Sequence, residues 1–201
     1  LDEFTPDWDS VDVSKFYMQT LEGNRTLLII TSRGCPFKCG FCIHSTIKNE
    51  VLRYHSNEYL LQQLNLLTGK YNADSLMFYD DLFFLDIKKA DQFISKISVP
   101  WSASTRVSLI DNKFVEWIRE TKCKSILLGI ESGSQRILDK VYKKQTISEI
   151  LNAVILMSST DIELRASLMI GFPGETEEMI WDTIKFNRKL SIDMKPKAID
   201  L

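Results

Sequence analysis

The chain has 201 residues, of which 44% are apolar and 26% charged, as is typical of a soluble globular domain with a sizeable core. Its net charge of −2 gives no electrostatic reason to expect a nucleic acid or an anionic membrane as a partner. No apolar run approaches the roughly 20 residues that span a bilayer, and no charged-then-apolar leader opens the chain. Three of the four cysteines are clustered, which favours a reducing, cytoplasmic location over an oxidising compartment.

Residues 1–25 are predicted to form a linker or N-terminal extension, because they are rich in Asp, include Pro6 and show no sustained hydrophobic period. Residues 26–201 are predicted to form the folded core. Since the chain begins with Leu and ends in a strand-like apolar stretch, we expect it to be an excerpt of a longer protein.

From Thr26 onward, short apolar runs alternate with helical patterns, which is typical of repeated β-α units. Strands are predicted at residues 26–31, 75–79, 101–106, 125–130 and 164–170, and a sixth is predicted to begin near Ala198. Helices are predicted near residues 56–69, 86–97, 111–118 and 146–157, and after Glu175.

Five β-α units and a sixth strand are too few for a closed eight-stranded barrel. Because parallel crossovers are right-handed, the strands are expected to curve into an open barrel. The predicted fold class is therefore α/β, with a parallel sheet forming an open, three-quarter (β/α)6 TIM-like barrel that is truncated at strand six.

Three cysteines lie within eight residues directly after the first predicted strand, at Cys35, Cys39 and Cys42. Iron–sulfur clusters are held by cysteine thiolates. Three thiolates on one loop could hold three irons of a four-iron cube and leave the fourth iron open for a ligand. Two alternatives stay open: a Cys3His zinc site completed by His44, and disulfide pairing.

Polar groups also follow the other predicted strands, and the carboxyl ends of barrel strands are where active sites are built. These groups are Asp80-Asp81, Thr105-Arg106, Glu131-Ser132-Gly133 and Gly171-Phe-Pro-Gly174. Acids, an arginine and glycines are therefore expected to converge on one rim. A small zwitterionic ligand needs such a set, with a carboxylate for its ammonium group and a cation for its carboxylate.

The Cys-x3-Cys-x2-Cys spacing, with Phe41 just before the last Cys, resembles the radical S-adenosylmethionine (radical SAM) superfamily. Further elements resemble its cobalamin-binding branch, namely Gly129-Ile-Glu-Ser-Gly-Ser134, Gly171-Phe-Pro-Gly-Glu-Thr176 and Phe78-Tyr-Asp-Asp-Leu-Phe83. The second of these also occurs in methylthiotransferases. The chain departs from the superfamily in having Tyr79-Asp80-Asp81 where most members carry Gly-Gly-Glu.

The resemblance implies an enzyme with a [4Fe-4S] cluster that reductively cleaves S-adenosylmethionine to a 5′-deoxyadenosyl radical. It implies that Cys35, Cys39 and Cys42 are the metal ligands. The implied cofactor-binding roles are Phe41 and Gly171 beside the adenine, Asp80 or Asp81 at the methionyl amine, Glu131 with Ser132 at the ribose, and Arg106 or Arg165 at the methionyl carboxylate.

Each of these roles has a structural alternative. Asp81 could cap the following helix, Ser132 or Ser134 could cap the turn after strand four, and Arg106 could pair with a surface acid. The Gly171 turn could be purely structural. Cys123 and His55 are assigned no role.

Residues 6–17 resemble the segment that joins a cobalamin-binding domain to the barrel, which implies cobalamin-dependent methyl transfer with the cobalamin held outside this chain. The alternatives are a methylthiotransferase-like enzyme without cobalamin and a non-catalytic zinc or iron–sulfur module. The expected partners are a small-molecule or peptide substrate and an electron donor such as flavodoxin or ferredoxin, with no nucleic acid and no membrane.

Overall fold

A five-stranded parallel sheet forms the centre of the computed structural model, which describes residues 1–3, 5–47, 51–83 and 85–193. The sheet strands are β1 (Thr26–Ile29), β4 (Ser75–Phe78), β5 (Trp101–Arg106), β6 (Cys123–Glu131) and β7 (Glu163–Leu168), in that spatial order. Every neighbouring pair is parallel. Two short strands, β2 (Ser32–Arg33) and β3 (Arg53–Tyr54), form a separate antiparallel pair.

Helices follow the strands of the sheet along the chain. They are α1 (Asn57–Asn65), α2 (Ile87–Ile94), α3 (Asn112–Arg119), α4 (Gln135–Lys140), α5 (Ile147–Ser158) and α6 (Glu177–Asp193). A π-helical turn, Leu66–Lys70, extends α1. The predicted α/β class and parallel sheet are confirmed, whereas the predicted sixth strand lies outside the described residues.

Short polar side chains determine where most of the helices begin. Ser56, Asp86 and Asp111 each accept a hydrogen bond from a backbone N–H in the first turn of the helix that follows. Thr146 and Glu149 form the predicted capping box of α5, in which each side chain bonds the other residue's backbone N–H. These caps are local chemistry, and the predicted helix starts agree with them.

Some elements differ from the prediction. Helix α4 and the β2–β3 pair were not predicted, because both are short and carry no clear period. Helix α2 ends at Ile94, three residues before the predicted end, because the Phe93 and Ile94 carbonyls accept hydrogen bonds of a tighter 3₁₀ type from residues 96 and 97.

The segment before β1 crosses the amino end of the sheet. Met18 pairs with Thr26 in an isolated antiparallel bridge. The buried Glu22 accepts a hydrogen bond of 2.5 Å from Ser125 Oγ at the start of β6. These contacts place the segment before β1 against the amino end of the sheet, opposite the end at which the cysteine loop lies.

Among the described residues, no helix has the length and apolar character needed to cross a membrane.

Candidate active site

The cysteine loop follows β2 at the carboxyl end of the sheet. Gly34 adopts a positive φ of 95°, which favours glycine, and turns the chain into the loop. Cys35 and Cys39 are buried, Cys42 is half-buried, and all three are free thiols. The Cys42 N–H donates a hydrogen bond of 3.0 Å to the Cys39 carbonyl, so the second and third cysteines lie in one tight turn.

The three cysteines line one cavity of about 240 Å³. Its wall also includes Phe41, Asp81, Arg106, Glu131 and Lys143. All of these residues except Lys143 are ones that the sequence predicts at this rim, and the fold brings them together. Two carboxylates and two cations therefore face the same space as the three thiols.

Arg106 ends β5 and lies against the cysteine loop. Its Nη1 donates to Cys39 Sγ at 3.0 Å, its Nη2 donates to the Lys143 carbonyl, and its guanidinium lies 3.9 Å from the centroid of the Phe37 ring. Arg106 is buried, so the alternative of an ion pair with a surface acid is wrong. Burial raises the pKa of the Cys35 thiol, and the charge of Arg106 opposes that rise.

The two adjacent aspartates after β4 have different hydrogen-bond partners and face different parts of the structure. Asp80 is buried and accepts hydrogen bonds from Thr31 N–H, Thr31 Oγ1 (2.8 Å) and Ser32 Oγ (2.6 Å). Burial raises the pKa of the Asp80 carboxyl, although these donors oppose the rise. Asp80 does not line the cavity; its side chain anchors the chain that leads into the cysteine loop.

Asp81 points the other way and lines the cavity. Its Oδ2 accepts a hydrogen bond of 2.8 Å from the Gly34 N–H, and its Oδ1 lies 3.0 Å from His44 Nε2. Because Asp86 caps α2, the alternative of Asp81 as the helix cap is wrong. Of the two aspartates, Asp81 is therefore the one placed to meet a ligand.

The Cys3His zinc alternative finds no support in this geometry. His44 lies against Asp81. In the part of the chain that the structure describes, no three His, Cys, Asp or Glu side chains are grouped closely enough to hold a single metal ion.

Glu131 ends β6 with a positive φ of 68°, which is uncommon for a residue with a side chain. Its Oε1 accepts a hydrogen bond of 2.7 Å from Lys143 Nζ, and both side chains are almost fully buried. The Glu131 carbonyl accepts from the Met169 N–H. The strained backbone therefore directs this carboxylate into the cavity wall.

Ser132 does not share the cavity with Glu131, contrary to the sequence-based expectation. It is fully buried, its Oγ lies 2.9 Å from Thr183 Oγ1 of α6, and it accepts from the Ser134 N–H. The positive φ of Glu131 reverses the direction of the chain and turns Ser132 away. The structural alternative, in which Ser132 stabilises the turn after the strand, describes its contacts.

An aromatic pair lies at the edge of the cavity. The rings of Phe41 and Phe172 meet edge to face with centroids 5.7 Å apart. Gly171 has a φ of 100°, and a Cβ built there would meet nothing within 4 Å. Glu175 Oε2 accepts from the Gly171 N–H at 2.6 Å and closes the turn. This turn leaves open backbone close to Phe41.

Arg165 lies on the same face of β7 as Ser167, which lines the cavity, but two residues earlier in the strand. It is paired in register with Leu127 of β6. Arg165 is not among the residues that line the cavity. Arg106 is therefore the better placed of the two arginines.

Lys143 is a charged cavity residue that the sequence did not predict. It follows α4, a helix that was not predicted, and stands beside the exposed Lys144 in a stretch that gives no local sign of burial. Its Nζ lies 5.6 Å from the centroid of the Phe41 ring. Only the folded structure brings this side chain to the site.

Comparison with known proteins finds one family model and several related sequences. The model of the radical SAM superfamily matches residues 29–186. An uncharacterised methyltransferase from Pyrococcus horikoshii is 34% identical over 94% of this chain and 41% of its own length. An anaerobic magnesium-protoporphyrin IX monomethyl ester cyclase from Rubrivivax gelatinosus is 27% identical over 96% of this chain and 36% of its length. A tRNA-2-methylthio-N(6)-dimethylallyladenosine synthase from Buchnera aphidicola is 26% identical over 84% of this chain and 42% of its length.

Solved structures show the same fold. The radical S-adenosylmethionine methyltransferase TsrM from Kitasatospora setae superposes with a TM-score of 0.71 at 17% identity, covering 83% of this chain and 34% of that one. The chain thus spans between about a third and about two fifths of the length of these four proteins. Because the family model covers well over half of the chain, the protein belongs to the radical SAM superfamily, whose members use a [4Fe-4S] cluster and S-adenosylmethionine.

Proposed function

We propose that residues 26–201 are the catalytic core of a radical SAM enzyme, with a [4Fe-4S] cluster held by Cys35, Cys39 and Cys42. The observation that carries this proposal is that three free thiols from one loop line a single cavity together with Asp81 and Arg106. Residues 1–25 form an extension that leads into this core.

The residues present fit such a cluster. Three thiols are the donor set of a four-iron cube with one open iron, and the Arg106 guanidinium beside Cys39 Sγ supplies positive charge for a cluster with thiolate ligands. Arg106 also has a buried Nε without a hydrogen-bond partner among the described residues. That N–H is available to a group placed in the cavity.

The remaining groups match the parts of S-adenosylmethionine. Asp81 would receive the methionyl ammonium group, Arg106 its carboxylate, and Glu131 the ribose hydroxyls. Phe41 and the open backbone at Gly171 would lie beside the adenine. Asp80, Ser132 and Arg165 support this wall rather than contacting the ligand.

When bound, the cluster and S-adenosylmethionine supply a 5′-deoxyadenosyl radical through a one-electron reduction. The chain's own part is to bind and orient. Asp81 and Arg106 fix the two charged ends of the methionyl group, and Arg106 stabilises the negative charge on Cys39. The aromatic pair Phe41 and Phe172 would lie against one side of the bound ligand.

The reaction type that we propose is cobalamin-dependent methyl transfer, with cobalamin bound by a domain outside this chain. Support comes from the methyltransferase relative in P. horikoshii and from the structural likeness to TsrM, which has been solved with cobalamin and a [4Fe-4S] cluster. The substrate would be a small molecule or a peptide. The electron donor would be flavodoxin or ferredoxin, in the cytoplasm.

A methylthiotransferase-like enzyme is the second candidate, because a tRNA-2-methylthio synthase matches 84% of the chain. The two candidates differ in what the whole protein would bind outside this barrel. A second iron–sulfur cluster in the intact protein would favour methylthio transfer, and bound cobalamin would favour methyl transfer.

The test is anaerobic reconstitution with iron and sulfide, followed by EPR spectra of the reduced protein with and without S-adenosylmethionine. We expect a reduced four-iron signal that changes when S-adenosylmethionine is added, because the ligand binds the open iron. A protein that stays EPR-silent and holds one tightly bound zinc ion would overturn the proposal.

A further inference from the structure

Lys143 and Glu131 form an ion pair inside the cavity wall. The Lys143 side chain is 5% exposed and that of Glu131 is 9% exposed, with 2.7 Å between Nζ and Oε1. Removing two charges from water is costly unless they are paired with good geometry. An ion pair buried this deeply at the edge of a ligand cavity therefore indicates a function beyond stability.

The backbone around Lys143 is shaped to turn it inward. Tyr142 and Lys144, on either side, both have positive φ values of 52° and 51°, and both are exposed. A side chain in this backbone region is strained, so the chain accepts strain on both sides of Lys143, which is buried. The strain is offset where Lys143 donates to Glu131.

The neighbouring strand leaves room for the pair. A Cβ built on Gly129 would lie 2.7 Å from Glu131 Oε1 and 3.0 Å from Lys143 Nζ. Any side chain at this position would therefore push the pair away from the strand. The glycine accommodates the ion pair.

The pair uses only one oxygen of the carboxylate. Oε1 of Glu131 accepts from Lys143, whereas Oε2 accepts no hydrogen bond from the residues that the structure describes. Since Glu131 lines the cavity, Oε2 is the oxygen that can meet a ligand. A carboxylate oxygen fixed in this way can accept hydrogen bonds from the two hydroxyls of a ribose.

We infer that Lys143 is a positioning residue that holds Glu131 for the nucleoside half of S-adenosylmethionine. Lys143 acts through Glu131 and does not bind the ligand itself. This inference rests on the proposed function, because it takes S-adenosylmethionine as the ligand of the cavity.

The experiment measures dissociation constants by anaerobic calorimetry on reconstituted protein with an oxidised cluster, so no turnover is needed. The probes are S-adenosylmethionine, 5′-deoxyadenosine and methionine. Lys143→Met is expected to weaken S-adenosylmethionine and 5′-deoxyadenosine about tenfold or more, with methionine unchanged. Lys143→Arg should restore part of the loss, and the control Lys144→Met, at an exposed lysine next in the chain, should match wild type.

A double-mutant cycle with Glu131→Gln separates positioning from direct contact. If Lys143 acts through Glu131, the double variant loses no more affinity than Glu131→Gln alone. Additive losses would overturn the inference, because they would mean that Lys143 contacts the ligand independently. Equal affinities of Lys143→Met and wild type would overturn it as well.

Gly129→Ala keeps both charges and displaces the pair, so it covers the case in which Lys143→Met does not fold. It should weaken 5′-deoxyadenosine binding with the iron content unchanged, and binding equal to wild type would contradict the inference. A wild-type protein with a complete cluster but no affinity for S-adenosylmethionine would overturn the proposed function, and this inference with it. Failure of the inference alone leaves wild-type binding intact.

Discussion

Each end of the parallel sheet has a buried glutamate near a cysteine, but the residues around these two pairs differ. At the amino end, Glu22 accepts a hydrogen bond from Ser125 Oγ, and Cys123 is buried in the apolar core. At the carboxyl end, Glu131 is paired with Lys143, and its cavity also contains Cys35. The same residue types are structural at one end and face a ligand cavity at the other.

The two ends differ in the charge of the neighbouring side chains and in the presence of a cavity, and not in how deeply the glutamate is buried. Glu22, which belongs to the segment before β1, has a buried Oε2 with no hydrogen-bond partner among the described residues. Burial raises the pKa of Cys123 well above its usual range, and the nearby Glu22 adds to this effect. By contrast, Arg106 lies directly against Cys39. A cationic partner and an open cavity therefore distinguish the functional end.

The largest expected effect comes from removing a thiol at either end. Cys39→Ala should abolish the reduced four-iron EPR signal after reconstitution, because a cluster that already has an open iron would lose a second protein ligand. Cys123→Ala should keep the signal, because its side chain packs in the core far along the chain from the cysteine loop. A four-iron signal that survives in Cys39→Ala but not in Cys123→Ala would contradict the comparison.

A smaller effect should separate the two adjacent aspartates. Asp81→Asn is expected to weaken S-adenosylmethionine binding about tenfold or more, because a charge-assisted hydrogen bond is lost. Asp80→Asn should change the affinity much less, since Asp80 bonds Thr31 and Ser32 outside the cavity. Anaerobic calorimetry on the two isosteric variants measures this directly, and the reverse order of effects would exclude Asp81 as the contact.

Much of the scaffold could be predicted because its signals are local. Ser56, Asp111 and Thr146 cap helices through bonds to residues three positions away, which a sequence pattern reveals. The positions of the sheet strands along the chain and the three-cysteine loop likewise follow from runs of a few residues. The convergence of Arg106 and Glu131 on the loop followed from the rule that barrel strands carry their active sites at their carboxyl ends.

What could not be predicted depends on single backbone angles and distant contacts. Whether Asp80 or Asp81 faces the cavity depends on which side of the strand each side chain lies, and side chains alternate from residue to residue. Ser132 was misplaced because the positive φ of Glu131 interrupts that alternation. Lys143 reaches the cavity only because the chain around it turns back onto β6, twelve residues from Glu131, and no local pattern carries that information.

At the amino end we expect a change in stability without a change in binding. Glu22→Ala should lower the free energy of unfolding by about 1–3 kcal/mol, because Ser125 Oγ loses its buried acceptor. The affinity of the reconstituted protein for S-adenosylmethionine should stay at the wild-type value. Urea denaturation of the metal-free chain gives the first quantity and calorimetry the second.

Ser125→Ala provides the matched control for Glu22. If the two side chains stabilise each other, the double variant should lose less than the sum of the two single losses. A loss of ligand affinity in Glu22→Ala, at unchanged stability, would mean that the amino end of the sheet also contributes to ligand binding.

The smallest expected effect is a pH dependence at Asp80. Burial raises the pKa of this carboxyl above the usual 3.8, so the folded chain holds the proton more tightly than the unfolded chain does. The contribution of Asp80 to the free energy of unfolding is therefore largest below pH 3.8 and falls as the pH rises through the raised value. Asp80→Asn lacks this titration but keeps an acceptor for Thr31 and Ser32. The melting temperature of the metal-free wild type, minus that of Asp80→Asn, should thus decrease with rising pH and then level off. A difference that increases over the same range would mean that the hydrogen bonds from Thr31 and Ser32 outweigh burial, and that the anchor of the cysteine loop is strongest when Asp80 is charged.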